Sequence, residues 1–291
     1  MEGFLVSAVF WNNVMAPPQQ MVPAPPTTTQ MPLKEDKSFS LSATKKTEPV
    51  TVKSTEKKRT VIIAPHPDDE ILCCGSMLAD KVKNAEEVKI IFLTNGDALR
   101  DATFKEAQEY GRWRRSESAR AAGKIGIFEE DLCFLGFPDG LLQYIDKEKP
   151  VRSMYTDWNV SPRDACFAGT PYTKEAVKRN LTKLLKQMAP TEIYIPSETL
   201  DEHPDHKVAA KWTKEVLAEL GITPSTLEYV VHGKMFLKEE ISKKPDENKL
   251  KLIQFFRSQF WDKSHRDFME KFASIQERFT KVLGRLAKAG R

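Results

Sequence analysis

The chain has 291 residues, of which 40% are hydrophobic and 30% charged, a balance that suits one sizeable soluble domain with a full core. Its 45 basic and 41 acidic residues leave a formal charge of +4, a small excess spread along the chain, which argues against nucleic acid as the main partner. Four cysteines, Cys73, Cys74, Cys133 and Cys166, have neither CxxC spacing nor the density of a disulfide scaffold. They are expected as free thiols packed in the interior of a protein in a reducing, cytoplasmic setting.

Residues 1–57 read as a tail and linker. FLVSAVFW, residues 4–11, is too short to cross a bilayer and follows Glu2 where a secretory signal would carry a basic flank, so export is weakly indicated. The stretch that follows is rich in Pro, Thr, Gln, Ser and Lys, with little apolar material to offset the entropy of ordering it. Disorder is expected there, with the folded domain spanning 58–291.

Within that domain TVIIAP (60–65), VKIIFLT (88–94), DLCFLGF (131–137), TEIYIP (191–196) and LEYVVHG (227–233) are short β-rich runs. Four of them are near-continuously apolar, as strands covered on both faces should be. Between them, residues 70–83, 104–123, 173–188 and 206–220 carry apolar positions three and four apart. The alternation predicts a three-layer, Rossmann-like α/β fold with a mainly parallel sheet. No GxGxxG follows the first strand, so a dinucleotide is not indicated. Ligands of open α/β sheets bind beyond the carboxyl ends of the strands, near the switch point.

The segment 144–173 is long for a connection in such a domain and carries Tyr155 and Trp158, which suits a wall over the binding pocket. At the end of the chain Phe268, Phe272, Ile275, Phe279, Leu283 and Leu286 share one helical stripe, and a C-terminal amphipathic helix is expected. That stripe would pack on its own domain or on a second copy, as a homo-oligomer. Lys271, Arg278, Lys281, Arg285 and Lys288 on the polar face would alternatively suit a membrane surface.

Two motifs fall at strand ends. HPDDE, with His66, Asp68, Asp69 and Glu70, follows the first strand; PSETLDEHPDHKVAA, with His203, Asp205 and His206, follows the fourth. Asp after Pro at a helix start is an ordinary N-cap, and a lone histidine there is ordinarily solvated. Two such turns at equivalent ends of separate strands, using three of the five histidines, exceed what capping explains. His66 and Asp69 sit three apart across a tight turn and face one point, and His206 arrives from the neighbouring strand. The resulting His–Asp–His set suits a catalytic zinc that keeps a position for water, and iron(II) accepts the same ligand types.

These residues resemble the LmbE/PIG-L family of metal-dependent N-acetylglucosaminyl deacetylases. APHPDDEILCCGSMLA and HPDH carry the likeness, and FLTNGD (92–97), RRSESARAAGKIGI (114–127), FLGFPDG (134–140) and KLIQFFRSQF (251–260) recur in the family's order, so the match spans 60–280. Cys73 and Cys74 precede Gly75 and Ser76 where the family commonly has a Gly-rich helix start, and the insert 144–172 has no counterpart. The resemblance implies His66, Asp69 and His206 as metal ligands and Asp68 as general base. His203 would stabilise the oxyanion or protonate the leaving amine. Asp205 would orient His203, unless it only caps the helix.

On the same grounds Arg114 and Asp139 would reach sugar hydroxyls, and His232 would lie near the substrate. Read alone, Arg114 and Glu117 are an i,i+3 surface pair and Asp139 is turn chemistry. The implied activity is hydrolysis of the N-acetyl group of an N-acetylglucosamine-type sugar or glycoconjugate, releasing acetate and a free amine. The competing reading is a catalytically inactive sugar-binding or scaffolding protein that keeps the fold; the presence of every implied catalytic residue favours the enzyme. A chain beginning at Lys58 is expected to retain metal content and turnover on a soluble substrate. Failure of that truncation to fold would move the domain boundary.

Overall fold

The computed structural model describes residues 57–146, 151–233, 241–260 and 263–282, which belong to one compact unit, Ser54–Arg291. The expected tail through residue 56, and Leu283, Arg285, Leu286 and Lys288, lie outside them. Apolar β-rich runs form strands β1 (Arg59–Ala64), β2 (Glu87–Thr94), β3 (Leu132–Phe137) and β4 (Glu192–Pro196), followed by β5 (Ser225–Tyr229). Helices α1 (Asp69–Lys83), α2 (Phe104–Lys124), α4 (Lys174–Met188) and α5 (Pro204–Leu220) fall between them, with a short α3 (Leu142–Ile145) after β3. The chain closes with β6 (Ile241–Lys243), α6 (Glu247–Ile253), α7 (Lys263–Ser274) and β7 (Glu277–Lys281).

Among the described residues the strands form a 7-stranded sheet in the order β3-β2-β1-β4-β5-β7-β6. The first five are mutually parallel, and β7 runs antiparallel to both β5 and β6. Side chains of a strand alternate between faces, and β1 shows the result. Ile62 and Ala64 pack with α1, α2, α6 and α7, whereas Val61 and Ile63 pack with α3, α4 and α5. The sheet is therefore the middle of three layers, as the sequence pattern predicts. Successive strands are laid to one side of β1 and then, from β4, to the other. The crevice above β1 and β4 is the switch point where such sheets bind ligands.

Three expectations are corrected. The fifth strand ends at Tyr229 rather than running to Gly233. Residues 230–233 turn inward, with Val231 N–H donating to Asp201 Oδ2 (3.0 Å) and Glu202 N–H to the His232 carbonyl. Gly233, at φ 147°, permits that approach, since a Cβ there would lie 2.6 Å from the Leu200 carbonyl oxygen. The C-terminal run is not one helix, because α7 stops at Ser274 and Glu277–Lys281 is strand β7. Phe268, Phe272 and Phe279 are at helical spacing, but Glu277 and Phe279 also alternate inward with period two, and the free edge of β5 offers pairing partners. The four cysteines stand in close pairs rather than apart, Cys73 beside Cys74 and Cys133 beside Cys166. The insert lays Cys166 against β3, its N–H donating to the Phe134 carbonyl (2.9 Å), which brings it to Cys133.

No helix among the described residues is long and apolar enough to cross a membrane. Phe279 is fully buried and meets the Tyr194 ring edge-on, centroids 4.9 Å apart. Phe279→Ala is expected to lower stability by about 3–5 kcal/mol, measured by urea unfolding; a change under about 1 kcal/mol would contradict the packing of β7.

Candidate active site

The turn between β1 and α1 holds the first half of the site. Asp68 stands at the N-cap of α1, yet its side chain makes no capping bond; its Oδ2 instead accepts from Arg114 Nη2 at 2.8 Å. Its φ of 136° is a conformation that non-glycine residues rarely hold, at a cost of about 1–3 kcal/mol. The Asp68 N–H donates to Glu70 Oε2 (2.9 Å), and the Asp68 carbonyl accepts from Ile71 and Leu72 N–H, which fixes the strained turn. Capping therefore does not account for the acidic pair.

Asp69 is fully buried, and its Oδ2 accepts the His66 N–H at 2.8 Å. The same oxygen lies 3.2 Å from His66 Nδ1 and 3.1 Å from His206 Nε2, and those two nitrogens are 3.3 Å apart. Ligands held tetrahedrally at about 2.0–2.1 Å stand about 3.3–3.4 Å from one another. The three atoms thus form one face of a tetrahedron sized for a divalent cation such as zinc. Asp69 Oδ1 is buried and without a hydrogen-bond partner.

Carboxylates behind the imidazoles set their orientation. His66 Nε2 lies 3.1 Å from Asp139 Oδ1 and 3.2 Å from Asp205 Oδ2. Both oxygens call for a proton on Nε2, which would leave Nδ1 to ligate a cation once its own proton is lost. Asp201 serves His206 in the same way, its Oδ2 3.0 Å from Nδ1, and it also accepts N–H bonds from His203, Val231 and His232. Asp201 joins the β4 and β5 turns. The sequence reading did not single it out; its only signal there is an acid two residues before His203.

Asp205 differs from expectation. Its carboxylate does not hold His203 but reaches the loop after β3, where Gly140 and Leu142 N–H donate at 2.7 and 3.0 Å, as well as His66. With Pro204 opening α5, it is the Asp205 backbone N–H that donates to His203 Nδ1, at 3.2 Å. That bond assigns the proton of a neutral His203 to Nε2. Arg114 and Asp139, expected on sugar hydroxyls, have protein partners: Arg114 Nη1 meets Asp139 Oδ2 at 3.2 Å, and Nη2 also donates to the Pro67 carbonyl at 3.0 Å. Glu117 is no surface ion partner either. It is buried and accepts from the Ser258 N–H (3.0 Å) and hydroxyl, joining α2 to the segment after α6.

Burial and charge divide the titrating groups. Burial and the neighbouring charge of Asp69 push Asp68 up to about 6, against the opposing pull of Arg114. Burial, then the Asp68 charge, pushes Glu70 up to about 8. Burial likewise pushes Asp97 up to about 7, although its Oδ1 accepts the Asp139 N–H. Asp69 and Asp139 lie below the usual carboxylate range: burial alone would raise them, but His206 and His66 respectively hold them down. His203 and His232 are pushed down to about 4, first by burial and then by the charges of neighbouring histidines.

These groups open on a cavity of about 810 Å³ lined by His66, Asp68, Arg114, Asp139, His203 and His232. His232 lies beside the metal-sized face, its ring 4.9 Å from that of His206 and stacked at 5.6 Å on Phe268 of α7. Tyr110, Gln259, His265 and Met269 complete the walls with Tyr155 of the insert. Trp158, paired with Tyr155 in expectation, packs instead against the α3–α5 core.

Comparison with known proteins identifies the family and the fold. The curated protein "Probable N-acetyl-alpha-D-glucosaminyl L-malate deacetylase 2" of Bacillus anthracis is 24% identical over 221 residues, 70% of this chain and 82% of that protein. The N,N'-diacetylchitobiose deacetylase of Pyrococcus horikoshii superposes with a TM-score of 0.54 at 22% identity, over 80% of this chain and 87% of that one. The 4-carboxy-2-hydroxymuconate hydratase GalB of Pseudomonas putida gives 0.54 at 12% identity, over 80% and 100%. At such identities the structural likenesses establish the fold. Residues 61–217, which hold both HPDDE and HPDH, match the family described as GlcNAc-PI de-N-acetylase, and the chain belongs to this PIG-L family.

Proposed function

We propose that this protein is a metal-dependent hydrolase that removes the N-acetyl group from an N-acetylglucosamine-type sugar, with zinc as the metal held by His66, Asp69 and His206. The reading rests on the 3.1–3.3 Å triangle of His66 Nδ1, Asp69 Oδ2 and His206 Nε2, placed beside Asp68 on a cavity wide enough for a sugar. Two nitrogens and one carboxylate oxygen are a zinc donor set; iron(II) accepts the same three. When bound, the cation polarises the acetyl carbonyl and acidifies water.

The chain's own groups account for the proton traffic. Asp68, near pKa 6, is ionised at neutral pH yet basic enough to take the proton of the attacking water as its oxygen bonds to the acetyl carbon. Arg114 holds the carboxylate in place and favours its ionised form. His203 is neutral at that pH and carries its proton on Nε2, so it donates a hydrogen bond to the oxygen that gains charge in the tetrahedral intermediate. Unprotonated at that pH, His203 has no imidazolium proton to give the amine. The proton taken by Asp68 therefore passes to the nitrogen as the C–N bond breaks, giving the free amine and acetate. The names of the Bacillus and Pyrococcus relatives support an N-acetylated amino sugar as substrate. Tyr155 offers its ring to the sugar, while Cys166 bonds to β3 and Val151, Trp158 and Phe167 pack against the core.

Amine and acetate release from a panel of N-acetylglucosaminides by the zinc-reconstituted protein tests the reaction; no release from any member would count against it. Asp69→Ala is expected to lose most of its zinc. Asp68→Ala should keep its zinc and lose roughly a hundred- to ten-thousand-fold in turnover. Zinc by atomic absorption beside initial rates separates the two, and equal effects on metal and rate would remove the division of labour. Tyr155→Ala is expected to raise KM about tenfold, with kcat and Tm little changed; an unchanged KM would exclude Tyr155 from the sugar subsite.

A further inference from the structure

A buried ion pair engages the backbone of the helix that carries Asp69. Ser76 and Met77, in the middle of α1, donate their N–H groups to the carboxylate of Glu277 at 2.8 and 2.9 Å. The Leu72 carbonyl accepts from Lys249 Nζ at 2.9 Å, and Lys249 Nζ meets Glu277 Oε1 at 2.9 Å. In a regular α-helix the Ser76 N–H donates to the Leu72 carbonyl. Here those two groups are each engaged by one member of the pair. Lys249 and Glu277 are 1% and 3% exposed, and burying two charges this deeply is justified in energy only by near-complete pairing.

The local sequence fits a helix that stays continuous from Asp69 to Lys83 but is loosened at one turn. Gly75 lies between the two engaged groups, where a Cβ would stand 3.5 Å from Lys249 Cγ. It is the weakest helix former in α1. Asp246 N–H donates to Ser76 Oγ at 3.2 Å, adding a third tie from the same region. Lys249 lies on α6 and Glu277 on β7, both beyond residues 61–217 of the family match.

We propose that Lys249 and Glu277 are positioning residues: they hold α1 open at Gly75 and so set where its first turn presents Asp69 to His66 and His206. This inference rests on the metal reading of that triangle. Lys249 anchors the carbonyl at the end of the Asp69–Leu72 turn, and Glu277 caps the restart of the helix at Ser76, as a carboxylate caps any helix start. Without the pair, Ser76 N–H and Leu72 carbonyl close on each other, and the first turn moves relative to the sheet.

The test replaces both charges, Lys249→Met with Glu277→Leu, in the full chain. Exchange of a buried ion pair for apolar side chains of similar size is commonly neutral or stabilising, so Tm should hold. Zinc affinity, read by competition with a chromophoric chelator, is expected to fall at least tenfold, and the visible spectrum of the cobalt(II)-loaded protein to change. In a crystal structure of the metal-free variant, Asp69 Oδ2 should leave the contact distances it has here to His66 Nδ1 and His206 Nε2. Gly75→Ala, which raises helix propensity while leaving both charges in place, should lower zinc affinity, and it serves if the double variant does not fold. Zinc affinity within twofold of the parent and an unmoved Asp69 would overturn the proposal. A parent chain that binds no zinc would instead sink the metal reading, and the position of Asp69 in the crystal would still decide what the pair does.

Discussion

The burial of Asp69 between two imidazoles is the constraint that organises this molecule. A carboxylate out of reach of water must be neutralised or paired, and its partners must then be compensated in turn. His66 is held by Asp139 and Asp205, and His206 by Asp201. Arg114 spans Asp68 and Asp139, so the acids nearest the cavity share one cation. The network is short and closed. It draws on the turns after β1, β3 and β4 together with α2, which makes correct docking of those elements a condition for neutralising the site.

The sheet supplies that docking. With β1 and β4 adjacent and parallel, the two His/Asp-rich turns meet without any long loop. The turn after β3 contributes Asp139 and the Gly140 and Leu142 amides that hold Asp205. Strand β7 has a second task. It lengthens the sheet beyond β5 and delivers Glu277 to α1 across the face that carries α6 and α7. The strained Asp68 follows from the same geometry, because a less compressed turn would separate the acid on Arg114 from the acid on the imidazoles.

Much of this was legible in the sequence because it is local. The apolar runs and the helical spacing between them fix the layers, and His66, Asp69 and His206 stand out because turns at strand ends rarely combine such residues. What was hidden depends on tertiary contact. Asp201 lies two residues before HPDH and Asp205 within it, and nothing in their spacing says which faces His206 and which faces His66; the loop after β3 decides it. The stretch through Phe279 satisfies a helical period and a strand period at once, and the open edge of β5 selects the strand. Glu277 reads as a polar-face residue until α1 is seen to offer it two backbone amides.

The fold by itself does not choose the reaction, since it superposes on deacetylases and on a hydratase. The choice has to lie in how protons are held. A basic carboxylate raised by burial and steadied by Arg114 can take a proton and later return it. A histidine whose Nδ1 is already occupied by the Asp205 N–H can only donate from Nε2. Those two assignments put one proton acceptor and one fixed donor on the walls of the same cavity, which is the arrangement that the proposed addition of water to an amide carbonyl calls for. The backbone of α5 thus does more than cap a helix. By fixing the tautomer of His203 it leaves that residue a hydrogen bond to give from Nε2, the role that the proposed reaction asks of it.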